Sequence, residues 1–308
     1  CARLRETLSC LRDQPASGVC WEVIVVNNGS SDGTANVLEE YSSQLPLLVL
    51  YEPSRGKARA LNRGAERASG HLVLFTDDDV SVCKRWVIEM VTAANRWPDG
   101  DVFCGPISPE FGCEVPEWFT AHPFAVEAFA RFNPRVPEGP LPRPHLPFGP
   151  NFAVRANVLR QERFDVQLGP GRGFVFCDDI EFLLRLRRAG KQFIFAPRAG
   201  VAHRIEATRL SFWALYRRAY DVGRVAAWLR PRSAGLGEGV PDFEAVARVV
   251  SAAASYARSL TTDKPSQFDF GIRLFFLLGA LRMRLSRMPK ASLEDLWAQD
   301  AGWRMSRL

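Results

Sequence analysis

Long hydrophobic runs are absent: no stretch of the 308 residues approaches the roughly 20 apolar positions a membrane-spanning helix requires, and the longest run, Leu274 to Leu281, is far shorter. Patterned cysteine is absent too. Cys1, Cys10, Cys20, Cys83, Cys104, Cys113 and Cys177 form no C-x-x-C pair and no zinc spacing, and seven leaves one over in any full disulfide scheme. A reducing, cytoplasmic setting is therefore expected. There is no internal repeat, and no signal-peptide pattern at the start, where the chain opens at Cys1 directly in a helix-like pattern of Leu4, Leu8 and Leu11. Strong charge bias is missing as well. The net charge is +6, and the arginines share their helices with acids, so no dedicated nucleic-acid surface is expected. Anionic substrates or an anionic membrane surface fit that charge better. What remains, 47% hydrophobic and 24% charged, is an ordinary globular chain able to bury one large core or two smaller ones.

The first hundred residues alternate strand and helix signals, which argues for parallel strands joined by crossover helices. Strands are expected at Glu22 to Val26, Leu47 to Tyr51 and Leu72 to Phe75, and helices at Thr34 to Tyr41, Ala58 to Ala68 and Lys84 to Trp97. The wholly apolar third strand reads as covered on both faces, so the acids that follow it sit at its carboxyl end, where open α/β sheets place ligands. From Pro106 to Pro150 the pattern dissolves, and Pro134 to Pro150 is too rich in proline for a helix or sheet interior; it reads as a long loop beside the site. Strand signals return at Phe152 to Val154, Phe193 to Ala196 and near His203, with a helix from about Asp179 to Ala189. Beyond Ser211 the chain reads as mostly helical, broken by a Gly/Pro-rich joint at Pro231 to Pro241.

Five constellations can carry chemistry. In Asp77-Asp78-Asp79, adjacent carboxylates repel unless a cation sits among them; extended geometry would point Asp77 and Asp79 the same way, suited to Mg²⁺ or Mn²⁺, although a solvated turn capping a helix reads equally well. Val25 to Thr34, with Asn27, Asn28 and Asp32, is a strand-to-helix turn able to grip a base and ribose, or simply a structural βα loop. Arg55 to Gly64 places a glycine before a basic helix start that can neutralise a diphosphate, or merely be solvated. Cys177-Asp178-Asp179-Ile180-Glu181 opens a helix, which keeps carboxylates ionised for general-base work, or for capping alone. His203 follows an apolar stretch and reads either as a structural residue or as a metal ligand.

In this order the motifs resemble family-2 glycosyltransferases, the inverting family of GT-A fold. The resemblance covers roughly residues 1 to 205 and rests on Val25 to Thr34, Gly56 to Gly64, Phe75 to Asp79, Asp178-Asp179 with Leu184-Arg185 and Gly190, and His203. It implies an α/β fold, a Rossmann-like mixed sheet flanked by helices, as in transferases that use nucleotide-diphospho-sugars. The GT-A catalytic domain would span 1–205 and a mostly helical C-terminal region 206–308. It implies that Asn27 or Asn28 pairs with the nucleobase, Asp32 and Lys57 support the nucleotide pocket, and Asp77 or Asp78 meets the ribose. Asp79 would hold Mn²⁺ or Mg²⁺, with His203 approaching from the other side, and Asp179 would be the base that activates the acceptor hydroxyl. Phe148 to Phe152 would lie beneath donor sugar and acceptor.

The implied reaction is an inverting single displacement from a nucleotide-sugar donor, a UDP-sugar, to a hydroxyl of a saccharide or lipid-linked acceptor. Family members with aspartate at the base-reading pair differ from this chain's Asn27-Asn28, and the family's opening strand is expected upstream of Cys1. Two alternatives are a sugar-phosphate nucleotidyltransferase, whose glycine-rich loop is not visible near the start, and a catalytically silent GT-A module that binds carbohydrate. The helices carrying Trp213, Tyr216, Arg217, Arg218, Tyr220 and Arg224, and Phe270 to Arg284, suit either packing onto the catalytic domain or contact with the inner face of a membrane.

Overall fold

The computed structural model describes residues 1–15, 18–115, 117–122, 124, 128–143, 145–169, 178–229 and 243–285. Cys177 and the Pro231 to Pro241 joint lie outside them. The chain divides into two compact units: Cys1–Glu110 with Ala130–Arg204, and Phe111–Phe129 with Ile205–Leu308.

In the first unit, α1 (Ala2–Arg12) buries Thr7, Leu8 and Leu11 along one face. The β-branched run β1 (Val23–Asn27) pairs in parallel with β2 (Leu47–Tyr51), Val23 opposite Leu47 and Asn27 opposite Tyr51, with α2 (Thr34–Ser42) as the crossover. Next come α3 (Lys57–Arg67), β3 (Leu72–Phe75), the short β4 (Val80–Val82) and α4 (Trp86–Arg96). The parallel expectation holds for β1 and β2 but not for β3, whose ladder runs antiparallel to β8 (Phe152–Arg155). Only Phe75 in β3 is fully buried; Leu72 to Leu74 are half-buried, so the strand is less enclosed than its composition suggests.

Five strands form the main sheet, in the order β3, β8, β5 (Val102–Cys104), β9 (Phe193–Phe195) and β7 (Gly139–Pro140). The core sits on its middle strands: Val102, Phe103, Cys104, Ala153, Val154 and Ile194 have no exposed surface. Such apolar triplets lack the alternation of a half-solvated strand, because both sheet faces are covered. β5 runs antiparallel to β8 and parallel to β9, giving the mixed sheet expected. The Arg155 guanidinium spans from Phe103 to the C-terminal end of α4 and the turn after it, donating to the carbonyls of Ala94, Trp97 and Gly100.

A second sheet has the order β4, β10 (Val201–Ile205), β6 (Ile107–Phe111). The segment from Pro106 to Pro150 is thus not all loop: it holds β6, a short helix α5 (Glu117–Ala121) and β7, where Pro140 sits on an edge strand. Helices α6 (Ala156–Gln161) and α7 (Asp178–Arg188) complete this unit. The registers fix the site. Phe75 and Cys104 both face Phe152, so the residues leaving β3, entering β8 and leaving β5 gather at one end of the sheet.

The second unit contains α5, α8 (Phe212–Leu229), α9 (Phe243–Ser259) and α10 (Lys264–Leu285). Phe119, Phe129, Tyr216, Phe268 and Ile272 are buried in its core. Helices α8 and α10 touch backbone to backbone: a Cβ on Gly223 would fall 1.9 Å from the Phe276 carbonyl oxygen, and one on Gly279 1.8 Å from that of Tyr220. Leu274 and Phe276 are buried against their own unit, and Trp213 stands 66% exposed, edge-on to Phe275 at 5.7 Å. No helix among the described residues is long and apolar enough to cross a membrane.

Candidate active site

The chain leaves β3 at Phe75 and turns at Asp78 and Asp79 instead of continuing extended, so the three carboxylates part company. That corrects the expectation that Asp77 and Asp79 point the same way. Asp77 Oδ1 accepts from the Lys57 ammonium at 2.6 Å. Asp79 is buried with His203 Nε2 3.5 Å from its Oδ1. Asp78 faces solvent, 3.9 Å from the Arg3 guanidinium. The cause lies in the β4–β10 ladder, which sets His203 opposite Val80 and so beside Asp79, while the Arg204 amide donates to the Asp79 carbonyl. Thr7 of α1 secures the same turn, its hydroxyl within 3.0 Å of the Asp78 carbonyl and 2.8 Å of that of Val80. Arg204 donates in turn to Thr7 Oγ1 at 2.8 Å and to Ser81 Oγ at 2.9 Å.

Lys57 opens α3 and collects acids from two directions. Burial opposes its charge, but Asp77, Asp178 and Asp179 outweigh that, and the ammonium is held above its ordinary range. Asp178 and Asp179 begin α7. Asp178 is buried, its Oδ2 has no hydrogen-bond partner among the described residues, and desolvation together with the charge of Asp179 pushes its carboxyl up to about 6. Asp179 is half-buried; its Oδ2 accepts the Gly149 amide at 2.6 Å, while no hydrogen bond among the described residues engages Oδ1. Further along α7, Arg185 binds Glu181, Glu162 and the Arg163 carbonyl, which fastens the helix end that carries the acids.

The β1 turn is mostly self-satisfied. Asn27 Oδ1 accepts the Ser30 amide, and Asp32 accepts the Thr34 amide and hydroxyl at the start of α2. Asn28 donates to the carbonyls of Glu52 and Ser54 and accepts the Gly56 amide at 2.8 Å, so it braces the loop leading to Lys57. The structure therefore brings Lys57, Asp77, Asp178 and Asp179 into one electrostatic cluster, pairs Asp79 with His203, and places Asn27, Asn28 and Asp32 on a neighbouring turn. Sequence reasoning missed Thr7, Arg204 and Asn151; the first two lie in helix and strand patterns that carry no motif, and Asn151 was noticed only as part of a segment.

The sequence model of Glycosyl transferase family 2 matches residues 1–161, over half of the chain. The chain belongs to glycosyl transferase family 2. Among curated relatives, the O-antigen biosynthesis protein RfbC of Myxococcus xanthus is 29% identical over 203 residues, covering 61% of this chain and 15% of RfbC. The succinoglycan biosynthesis protein ExoM of Rhizobium meliloti (strain 1021) is 23% identical over 206 residues, covering 66% of this chain and 62% of ExoM. The chain thus spans less than two thirds of either relative. Among solved structures, mannosyltransferase PcManGT from Pyrobaculum calidifontis, in complex with GDP-Man and Mn²⁺, aligns with TM-score 0.57 and 20% identity over 92% of this chain and 83% of that one. S. aureus TarS 1-349 in complex with UDP aligns with TM-score 0.52 and 16% identity over 91% and 87%. The fold is GT-A, as expected from the motifs, and the family sets aside the nucleotidyltransferase alternative.

Proposed function

We propose that this family member is an inverting transferase, moving a sugar from a nucleoside-diphosphate donor to a hydroxyl of a saccharide or lipid-linked acceptor in cell-envelope polysaccharide synthesis. The observation that carries the reading is Asp179: one oxygen is anchored by Gly149, no hydrogen bond among the described residues engages the other, and the carboxylate stands in the same cluster as Lys57 and Asp77. A general base needs that arrangement, held at one oxygen and open at the other. The Asp179 oxygen takes the proton of the acceptor hydroxyl as its oxygen attacks the anomeric carbon. The nucleoside diphosphate leaves from the opposite face, and configuration inverts.

On the donor side, Asn27 and Asp32 lie on the turn assigned to base and ribose, while Asn28 acts through its brace on the Gly56 loop. Lys57 and Asp77 line the approach to the diphosphate, and the exposed Asp78 is left for the ribose. Asp79 and His203 suit Mn²⁺ or Mg²⁺: a hard carboxylate oxygen and an imidazole nitrogen lie side by side, and no third His, Cys, Asp or Glu among the described residues joins them, leaving coordination positions for phosphate oxygens. When bound there, the cation supplies electrostatic stabilisation to the leaving diphosphate.

TarS in complex with UDP and PcManGT in complex with GDP-Man frame the donor test. A thermal-shift panel of nucleotides with Mn²⁺, then transfer or hydrolysis assays with the matching UDP- or GDP-sugars, is expected to select a UDP-sugar. Asp179→Asn is expected to lower turnover at least about a hundredfold while nucleotide binding persists; near-normal turnover would remove Asp179 from the role of base. No turnover with any donor, despite nucleotide binding, would favour a silent binding module. A peripheral membrane contact and cytoplasmic placement belong to the same proposal; the exposed Trp213 supports the contact, whereas burial of Leu274 and Phe276 leaves less apolar surface for it.

A further inference from the structure

Asn151 has no exposed surface, yet its side chain is an amide in an apolar core. All of its bonding is directed to separate segments of the chain. Its Oδ1 accepts the indole N–H of Trp86, the first residue of α4, at 2.9 Å. Its Nδ2 donates to the carbonyl of Ala199, just before β10, at 2.7 Å and to that of Pro106, after β5, at 3.1 Å. Its backbone N–H donates to the Phe148 carbonyl at 3.2 Å and closes the turn that contains Gly149. A buried amide is costly unless every polar atom is matched, and once matched it admits few other geometries.

The turn it closes is the one that touches Asp179. The Gly149 amide holds Asp179 Oδ2 at 2.6 Å, and a Cβ on Gly149 would stand 2.9 Å from that same oxygen. A side chain at 149 would therefore push the Asp179 carboxylate out of its place.

We propose that Asn151 is a positioning residue for the acceptor side: its amide, locked by Trp86, Ala199 and Pro106, fixes the Phe148–Asn151 turn so that Gly149 holds one oxygen of Asp179 and aims the other at the acceptor hydroxyl. The inference rests on Asp179 being the base. It differs from a plain packing role because it acts on turnover through Asp179 and leaves the donor side alone.

The test uses the full chain with Mn²⁺ and whichever of UDP-glucose, UDP-N-acetylglucosamine or GDP-mannose it turns over, comparing Gly149→Ala, Trp86→Phe and Asn151→Ala, each also in an Asp179→Asn background. Asn151→Ala removes three buried hydrogen bonds and is expected to lower the melting temperature, so Gly149→Ala and Trp86→Phe carry the decision. Both are expected to reduce kcat about tenfold to a hundredfold with donor KM and the nucleotide-induced thermal shift unchanged, and to cause no further loss in Asp179→Asn. Full kcat in both variants, or equal losses with and without Asp179, overturns the positioning role. Near-normal turnover in Asp179→Asn alone overturns the base assignment and this inference with it, so the two failures are distinguishable.

Discussion

Replacing Asp178 by asparagine tests whether the acid cluster is as enclosed as its geometry implies. Asp178 is 2% exposed, has no partner for Oδ2 among the described residues, and has its carboxyl pushed from 3.8 up to about 6, chiefly by desolvation and then by the charge of Asp179, against the pull of Lys57. The sign follows from proton counting. Below pH 4 the group is protonated in both folded and unfolded chains and contributes no pH dependence. Between about pH 4 and 6 the unfolded chain has lost the proton and the folded one keeps it, so stability falls as pH rises; above 6 the loss is complete and constant. A shift of about two units corresponds to ~3 kcal/mol. Asparagine cannot titrate. The stability difference, Asp178→Asn minus wild type, should therefore grow in favour of the variant by ~3 kcal/mol between pH 4 and 6 and then level off, whatever fixed cost the buried amide adds. Urea unfolding followed by exchange protection of the Phe103 and Cys104 amides reports the unit that contains the site, and subtraction cancels the titrating groups that do not interact with Asp178. A difference that stays flat across this window would refute the reasoning, because it would mean that Asp178 ionises freely in the folded chain.

Asn28→Ala removes three hydrogen bonds that brace the Gly56 loop and should cost about 2–3 kcal/mol, with a weaker nucleotide-induced thermal shift as its functional sign. Asp79→Asn or His203→Ala should abolish the stabilisation by Mn²⁺ plus nucleotide in thermal shift while leaving the melting temperature without Mn²⁺ within a few degrees; retention of the Mn²⁺ effect would move the metal elsewhere. Gly223→Ala puts a Cβ 1.9 Å from the Phe276 carbonyl oxygen and should destabilise the helical unit by ~3 kcal/mol or more, measured by thermal unfolding, whereas an unchanged melting temperature would mean that α8 and α10 separate at no cost.

Much of the fold was legible because periodicity and turn chemistry are local. The β2 and β3 bounds follow from their apolar runs and flanking turns, and the Asn-Gly and Ser-Asp-Gly punctuation places the start of α2. Three-residue strands such as β4 and β5 are too short to show a period, and a strand inside a proline-rich tract, β6, is masked by its neighbours. The antiparallel partnership of β3 with β8 joins residues about 80 positions apart, which no local pattern encodes. The site divides in the same way. Asp77, Asp79, Asp179 and His203 were legible as candidates because carboxylates and an imidazole stand at element ends in an order that resembles the family's motifs. What they touch was not, since the turn at Asp78 and Asp79 redirects neighbouring side chains to Lys57, Arg3 and His203.

Lys57 explains why so many acids can share one end of a sheet. Asp77 comes from a part of the chain distant from Asp178 and Asp179, and the mutual repulsion of the three carboxylates is unfavourable with no cation among them. One half-buried ammonium offsets that repulsion: it is bonded to Asp77, and its field reaches the acid pair of α7. Its bond to Asp77 is short, yet one ammonium faces three carboxyl groups, so a single positive charge does not neutralise the whole cluster. The residual negative charge favours a further cation, and the buried Asp79 with its histidine neighbour, leaving the same β3 turn, is where the donor set suits one. On the proposed function, a lysine internal to the chain and a divalent ion would divide one electrostatic task, the lysine offsetting the acids of the chain itself and the ion accompanying the diphosphate.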